Sequence, residues 1–254
     1  MEQHFRSGLK YYTFKSLAAW PQLRHGVFTR QAPPDLGGEL TFSFREDIPD
    51  SRVQRSLALA EEALGLGPAV FVLQTHSDRI YLHDPSSGYA PRKPGDIIQG
   101  YDALVARPGT LLLLKLADCQ GILLFHPPSG ILALIHSGWR GSVQNIAGRT
   151  AAFLEKELSV PPPELRAAVS PSLGPCCAEF INYEKELPPS MWSYQNPADH
   201  HFDFWKVTRD QLTAAGVKPQ NIETAGICTK CDPDFPSYRR GDRGRFALAA
   251  GVIL

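Results

Sequence analysis

The stretch Ile131–Thr150, ILALIHSGWRGSVQNIAGRT, contains both kinds of element from which the fold is built. Its first part is an uninterrupted apolar run that predicts a strand, Ile131–Ile135, covered on both faces. The run stops at His136 and turns through Gly-Trp-Arg-Gly, after which apolar residues recur at helical spacing as far as Leu158. A buried strand followed by an amphipathic helix predicts an α/β fold.

Further apolar runs bounded by turn residues predict six more strands, and helical spacing predicts two more helices. Because consecutive strands are mixed with helices, we expect a mixed β-sheet core covered by helices and not a regular βαβ repeat. No internal repeat divides the chain, so residues 1–254 are expected to form a single domain. The other predicted strands are Ala69–Leu73, Arg79–His83, Ala103–Ala106, Leu111–Leu116, Gly121–Phe125 and Arg166–Val169, and the other helices are Val53–Leu64 and Phe204–Ala215, the latter with Asp203 as its N-cap.

Charge and cysteine content argue against several classes of protein. Lys plus Arg and Asp plus Glu number 26 each, so no overall positive field favours nucleic acid or an anionic membrane. A small anionic substrate would have to meet a local cluster of cations. Five cysteines, two of them adjacent, do not resemble an extracellular disulfide framework, and no segment reads as a signal peptide or membrane span. We therefore expect a cytoplasmic protein that binds neither nucleic acid nor membrane.

Three of the predicted strands end in a side chain that can bind a metal or act as a nucleophile. AVFVLQTH ends at His76, LLLLKLADC ends at Cys119 and ILALIH ends at His136. Two imidazoles and one thiolate suit zinc, and three protein ligands leave one tetrahedral position open, as in catalytic sites. The same residues allow a metal-free alternative, in which Cys119 is a thiolate nucleophile and one histidine is its base.

The turn after His136 predicts a position for an anion. Free backbone N–H groups at the start of a helix attract anions, and the guanidinium of Arg140 offers a planar pair of donors to phosphate or carboxylate. We expect Arg140 to contact the substrate; the alternative is an arginine that only ties a loop to carbonyl groups. Trp139 is expected to be a packing residue.

Seven motifs occur along the chain in a fixed order: QTHSDRI (74–80), GYDALVA (100–106), LADCQGILLF (116–125), IHSGWRG (135–141), SPSLGPCCAEF (170–180), DFWKVTRDQL (203–212) and CTKCDPDFPSYRRGDRGR (228–245). In this order the sequence resembles the YfiH-type family of multicopper-oxidase-like, or laccase-domain, proteins. Its members are also described as purine nucleoside phosphorylases and as peptidoglycan editing factors. The resemblance covers most of the chain and implies a YfiH-like fold.

The resemblance also implies a ligand set and an activity. The family's zinc ligands, carried over to the matching positions, fall on His76, Cys119 and His136. The implied chemistry is zinc-dependent phosphorolysis of adenosine, inosine or 5′-methylthioadenosine to the base and ribose-1-phosphate, together with deamination of adenosine. The expected partners are thus purine nucleosides and phosphate.

Further site residues are expected beside these ligands. Cys119 and Asp118 are the candidate catalytic residues, because a carboxylate next to a ligand can orient a histidine or take a proton. Arg140, Arg239 and Gln74 are the candidate substrate-binding residues. Arg30 and Arg55 are possible further contacts to phosphate.

Other activities remain open at this stage. A hydrolase that edits peptidoglycan precursors would use the same zinc or Cys119. A copper-dependent phenol oxidase is disfavoured, because the chain has only eight histidines and no His-x-His pair. A non-enzymatic zinc-binding role is the remaining class.

Cys228 and Cys231 form a Cys-x-x-Cys pair that the family pattern does not require. A second zinc site or a redox pair there would need partners, and only Cys176 and Cys177 are available for this. The sequence does not assign a role to the pair.

Overall fold

A computed structural model describes residues 1–196 and 198–254, which contain twelve strands and five α-helices. No helix in this part of the chain is both long and apolar enough to cross a membrane. The strands are β1 (Glu2–Arg6), β2 (Leu9–Thr13), β3 (Leu23–Phe28), β4 (Ala69–Val70), β5 (Ile80–Leu82), β6 (Ala103–Ala106), β7 (Leu111–Leu116), β8 (Gln120–Phe125), β9 (Leu132–Ser137), β10 (Arg166–Val169), β11 (Ile222–Thr224) and β12 (Phe246–Val252). The helices are α1 (Asp50–Leu64), α2 (Trp139–Val143), α3 (Ile146–Leu158), α4 (Tyr183–Glu186) and α5 (Phe204–Ala214).

The strands form two six-stranded mixed sheets. The first has the order β1-β2-β3-β12-β7-β4 and the second has the order β11-β10-β8-β9-β6-β5. Pairing is antiparallel except between β4 and β7, β5 and β6, and β10 and β11. The predicted α/β class with a mixed β core covered by helices is confirmed. The strands are divided between two sheets. The apolar pattern of a single strand does not show which sheet it joins.

Side chains alternate between two buried layers along the central strands. In β7, Leu112 and Leu114 face the core between the sheets, whereas Leu111 and Leu113 pack on the side of α1. In β9, Leu132 and Leu134 face the same inter-sheet core, while Ala133 and Ile135 pack towards α3 and α5. Runs such as LLLL lack polar alternation because both of their faces are buried, as the sequence predicts.

Several predicted elements are confirmed, whereas β4, β5, β8 and β9 have other bounds than predicted and one helix is broken. Strands β6, β7 and β10 have the predicted bounds, and Asp203 caps α5 by accepting a hydrogen bond from the N–H of Lys206 at 2.9 Å. The helix after His136 is broken between α2 and α3. Asn145 adopts a left-handed conformation there, with φ of 54°, and its side chain accepts from Gly148 N. Asn tolerates this conformation and is a good N-cap, so the side chain of Asn145 satisfies a free N–H group in the first turn of α3.

Five strands, β1 to β3, β11 and β12, were not among those predicted. β12 reads FALAAGV, and its alanines and glycine carry little strand propensity. It is nonetheless central in the first sheet, between β3 and β7, because small side chains allow close packing on both faces. β1 is largely exposed and polar, and pairs with β2 as an edge hairpin.

The two sheets approach closely where the chain passes from β7 to β8. A Cβ on Gly121 would lie 2.7 Å from Cδ1 of Leu116 and 3.0 Å from Cδ2 of Leu248, both in the first sheet. Gly121 is opposite His136 in the pairing of β8 with β9. The absence of a side chain at this position therefore lets the first sheet pack against the strand pair that carries His136.

Candidate metal centre and its pocket

Three predicted ligands converge at one end of the sandwich. His76 lies on the connection from β4 to β5, and Cys119 lies on the connection from β7 to β8; both connections run from the first sheet to the second. His136 lies within β9 and shares the parity of Leu132 and Leu134, so its side chain projects towards the space between the sheets. The ligands thus meet where the chain crosses between sheets, and only His136 lies within a strand.

The distances between the donor atoms suit one metal ion. Nε2 of His76 is 3.7 Å from Sγ of Cys119, and the rings of His76 and His136 are 4.9 Å apart. One donor atom from each of the three residues lies within 4.8 Å of the others. Zinc bonds of about 2.0–2.3 Å to nitrogen and sulfur place tetrahedral ligands at such separations, so the residues present fit zinc.

Asp102 is a buried carboxylate that organises this centre. Its oxygens accept hydrogen bonds from the backbone N–H groups of Thr75, His76 and Ser77, at 3.1, 3.0 and 2.6 Å. His76 has a left-handed backbone, with φ of 60°, and these bonds hold it in that conformation. Asp102 thereby fixes the loop that presents the first histidine.

Asp102 also orients the second histidine. Nδ1 of His136 donates to Oδ1 of Asp102 at 2.7 Å, which places the proton on Nδ1 and leaves Nε2 free to bind a metal. Burial opposes ionisation of Asp102, but the hydrogen bond and charge of His136 outweigh it and lower its pKa to about 2. The sequence analysis did not identify Asp102, although a single carboxylate before the apolar run ALVA is a signal that could have done so.

Cys119 and His136 influence each other's ionisation. Burial alone would raise the pKa of Cys119, but the charge and hydrogen bond of His136, with a contribution from His76, lower it to about 6. Burial would lower the pKa of His136, but Cys119 and Asp102 raise it to about 9. The structure therefore favours a thiolate at Cys119, which is the form that binds metals and acts as a nucleophile.

Asp118 makes loop contacts in the structure. One of its carboxylate oxygens accepts from Oγ1 of Thr229 at 2.6 Å and the other from the backbone N–H of Arg239 at 2.7 Å. Its backbone is left-handed, with φ of 77°, and its carbonyl accepts from the N–H of Leu173. The carboxylate that orients a histidine is thus Asp102, while Asp118 lines the pocket and connects its walls.

Gly138 leaves space for the ligands. A Cβ at this position would lie 2.9 Å from Sγ of Cys119 and 2.9 Å from Cδ2 of His76. Its backbone angles, φ −80° and ψ −175°, are open to any residue, so the requirement for glycine arises from the neighbouring ligands alone.

A pocket of about 490 Å³ opens from the metal centre, within the range of about 300–1,000 Å³ common for small-molecule sites. Arg140 and Arg239 line it, as the sequence predicts for substrate contacts. Lys115 and Arg245 also line it, and sequence reasoning did not identify either. The aromatic residues of its wall are Trp139, Phe180, Phe204 and Tyr238.

Four cations line this pocket without an ion pair among the described residues: Lys115, Arg140, Arg239 and Arg245. The guanidinium of Arg140 stacks on the ring of Trp139, with 4.3 Å from Cζ to the centroid. Burial, helped by the charge of Arg245, lowers the pKa of Lys115 to about 8. The side chains form the local positive cluster that a chain of zero net charge needs in order to bind an anion.

Three other predicted contacts do not line the pocket. The side chain of Gln74 uses both ends of its amide on the backbone of Lys115, at 3.0 Å and 2.8 Å. Arg30 pairs with Asp242, and Arg55 pairs with Asp35. Gln74 is placed to hold the strand that carries Lys115.

Comparison with known proteins identifies relatives in sequence and a solved structure with a similar fold. A purine nucleoside phosphorylase of Bacteroides thetaiotaomicron is 29% identical over 256 residues, covering 95% of each chain. The purine nucleoside phosphorylase YlmD of Geobacillus stearothermophilus is 32% identical over 156 residues, 58% of this chain and 57% of that protein. The crystal structure of YlmD from the same organism superposes with a TM-score of 0.85 and 24% identity, covering 100% of this chain and 99% of that one, and has the same fold.

The family model described as multi-copper polyphenol oxidoreductase laccase matches residues 24–253. This range includes both crossing connections, β9 and the loops that carry the pocket cations. The relatives named as purine nucleoside phosphorylases indicate an enzyme of that kind of family. The resemblance found in the sequence motifs is confirmed, and the chain belongs to the laccase-like family of multi-copper polyphenol oxidoreductase proteins.

Proposed function

We propose that the protein is a zinc-dependent purine nucleoside phosphorylase acting on adenosine, inosine or 5′-methylthioadenosine, and that it also deaminates adenosine. The observation that carries the proposal is a single pocket that combines a His₂Cys ligand set with unpaired cations and aromatic side chains. A nucleoside needs an apolar surface for its base, and phosphate needs cations. The relatives named as purine nucleoside phosphorylases support this assignment.

His76, Cys119 and His136 would hold the zinc ion. Zinc bound by two imidazoles and a thiolate supplies a Lewis acid with one coordination position open to an exchangeable ligand. The thiolate favoured at Cys119 is the form that such an ion requires. Asp102 engages Nδ1 of His136, so Nε2 is the nitrogen that would bind the ion, which would replace the proton that Nε2 carries in its absence. Copper is the less suitable metal, because a multicopper centre needs more histidines than gather here.

In phosphorolysis, a phosphate oxygen forms a bond to C1′ of the ribose while the bond from C1′ to the purine nitrogen breaks, and the base leaves with a proton. Lys115 and Arg245 are candidates to bind the phosphate, since both line the pocket and neither has a carboxylate partner among the described residues. Arg140 and Arg239 are further candidates at its rim. Asp118 is the candidate to hold the proton that the leaving base takes up.

The aromatic wall of the pocket is suited to the base. Phe180 and Phe204 lie against each other with ring centroids 5.2 Å apart, and Tyr238 is 73% exposed at the pocket's edge. Planar rings of this kind can stack with a purine and exclude water from one of its faces. Trp139 packs edge-on against Phe180 and supports the wall, as expected of a packing residue.

The decisive assay uses protein of defined metal content. Zinc-loaded protein is incubated with adenosine and inosine, with and without phosphate, and ribose-1-phosphate, free base and ammonia are followed. We expect base and ribose-1-phosphate only when phosphate is present, ammonia from adenosine, and loss of all products on addition of a chelator. Hydrolysis of a peptidoglycan precursor without any of these products would contradict the proposal, and activity that resists the chelator would favour the thiol alternative.

Replacement of Gly138 by alanine is expected to disturb the metal centre alone. The added Cβ would meet both Cys119 and His76, so zinc affinity and turnover should fall at least about tenfold while the far-ultraviolet circular dichroism stays unchanged. Gly95→Ala is the matched control, because a Cβ there has no atom within 4 Å. Zinc affinity, measured by competition with a chromogenic chelator, should separate the two variants; equal affinity would refute the steric role of Gly138.

The two aspartates near the centre are expected to differ in effect. Asp102→Asn places an amide against N–H donors and loosens His136, so zinc affinity should fall by about 10–100-fold. Asp118→Asn should leave zinc affinity close to that of the wild type and lower kcat. Zinc titration together with steady-state kinetics measures both effects. An equal loss of zinc affinity in both variants would contradict the different roles assigned to Asp102 and Asp118.

Lys115 is expected to set the affinity for phosphate. Lys115→Met should raise the KM for phosphate about tenfold or more, because a charge-assisted hydrogen bond contributes about 1.5–3 kcal/mol. In the wild type the ammonium is lost as pH rises through about 8, so phosphate KM should increase above that pH. Lys115→Arg keeps the charge at all these pH values and should lack this increase.

Lys93→Met, at an exposed lysine that lies 4.0 Å from Asp96, is the control for the loss of a positive charge elsewhere. Its phosphate KM should match that of the wild type. Initial rates at varied phosphate give the comparison, and an unchanged KM in Lys115→Met would show that the phosphate lies elsewhere in the pocket.

A further inference from the structure

Four cysteines outside the His₂Cys centre come together in space. Cys176 and Cys177 follow β10, and Cys228 and Cys231 follow β11. Sγ of Cys231 is 3.8 Å from that of Cys176 and 3.5 Å from that of Cys177, and all four sulfur atoms lie within 4.8 Å of one another. The sequence offers these two pairs as possible partners, and the tertiary structure brings them together.

The spacing of the sulfurs fits a tetrahedral metal site. Bonds of about 2.3 Å from zinc to sulfur give an edge of about 3.8 Å between neighbouring ligands. A disulfide needs two sulfurs at about 2.05 Å, and all five cysteines are free thiols in the structure. Four thiolates without a histidine or an open position form the closed ligand set of structural zinc sites.

The Cys228 and Cys231 thiols lie on a hydrogen-bonded turn. In the Cys-Thr-Lys-Cys segment, the N–H groups of Cys231 and Asp232 donate to the carbonyl of Cys228, at 3.1 and 2.9 Å. Nη1 of Arg240 donates to the carbonyls of Thr229 and Lys230 and holds this turn from behind. Because hydrogen bonds already fix the turn, its two sulfurs are presented together before any metal binds.

The other pair is fixed in a similar way. The N–H of Cys177 donates to the carbonyl of Gly174 at 2.9 Å, and the N–H of Gly174 donates to Sγ of Cys228 at 3.3 Å. An amide that donates to sulfur favours the thiolate that a metal requires. Glycine is needed at this point, since a Cβ on Gly174 would lie 3.0 Å from Cβ of Cys228 and 2.9 Å from the ring of Trp205.

Both segments contact Asp118, which lines the pocket. Leu173 precedes the first pair of cysteines, and its N–H donates to the carbonyl of Asp118. Thr229 lies between the second pair, and its hydroxyl donates to the carboxylate of Asp118. Ser172 and Cys228 form an isolated parallel bridge between the two segments. A metal bound by all four thiols would therefore fasten two loops that both contact the residue next to Cys119.

We propose that Cys176, Cys177, Cys228 and Cys231 bind one structural zinc ion, separate from the His76, Cys119 and His136 centre, and that this ion fastens the two loops on the Asp118 side of the pocket. The ion is closed to substrate, because its four positions are filled by thiolates. Its role is to hold the loops that carry Leu173 and Thr229 in the positions described here.

The test measures the zinc content of the purified protein by elemental mass spectrometry. We expect two zinc ions per chain in the wild type and one in His76→Ala/His136→Ala. One is also expected in Cys176→Ser/Cys231→Ser, which changes only exposed cysteines, and none when the four substitutions are combined. Circular dichroism checks that each variant is folded, and the cysteine variant should have a lower Tm than the wild type.

A second measurement identifies the ligands directly. Cobalt(II) in His76→Ala/His136→Ala should give the intense thiolate charge-transfer absorption of a tetrathiolate site, and this absorption should disappear when Cys176→Ser/Cys231→Ser is added to that variant. In the zinc-loaded histidine variant, the exposed Cys176 and Cys231 should resist alkylation until a chelator is added. Cys119, which does not belong to the cluster, is the internal control and should react from the start.

Three results would overturn the proposal. One is a histidine variant that contains no zinc and in which the exposed Cys176 and Cys231 react freely. Another is a metal-free wild-type chain whose intact mass is lower by two hydrogens, since that result assigns a disulfide to the cluster. The third is iron in place of zinc in the histidine variant. Because the readout is metal content, it is independent of which substrate the pocket binds.

Discussion

The buried carboxylate of Asp102 makes the interactions on which the candidate metal centre depends. It accepts five hydrogen bonds, from three consecutive backbone N–H groups, the hydroxyl of Ser77 and the ring of His136. A carboxylate with no exposure to solvent is costly unless its lone pairs are satisfied, and here they are satisfied by the elements that must be aligned. The left-handed loop at His76 and the imidazole of His136 are thus fixed by one group.

The two-sheet architecture explains why the site lies where it does. The connections through His76 and Cys119 both leave the first sheet and enter the second, so they pass the same end of the sandwich. His136 arrives there from within β9, on the face that Leu132 and Leu134 bury between the sheets. Small residues make this convergence possible, because Gly121 allows the sheets to approach and Gly138 leaves room for two ligands.

The cysteines of this chain lie in two chemically different surroundings. Cys119 faces two imidazoles, whose charge and hydrogen bonds stabilise its thiolate in a three-ligand set. The other four cysteines face one another. Four neighbouring thiolates repel one another, so all four thiols would ionise together only around a bound cation. The pocket lies beside the first set and is lined by cations, although the chain as a whole has no net charge. Charge is thus organised locally and not over the whole surface.

Much of this protein could be predicted from its sequence, because apolar periodicity and residue chemistry are local properties. The α/β class, the bounds of β6, β7 and β10, the cap of α5 by Asp203 and the motifs that indicate the family are all legible in the chain. The choice of His76, Cys119 and His136 rests on the same kind of information. The tertiary structure brings their donor atoms within 4.8 Å of one another.

Other features were decided only by tertiary structure. The division of the strands into two sheets and the central place of β12 depend on contacts between distant segments. The same is true of the role of Asp102, of the presence of Lys115 and Arg245 in the same pocket, and of the proximity of the two cysteine pairs. A pattern within one segment shows which of its faces is buried, but it does not show which partner covers that face. The partners are chosen when the sheets pack, and that choice places these side chains together.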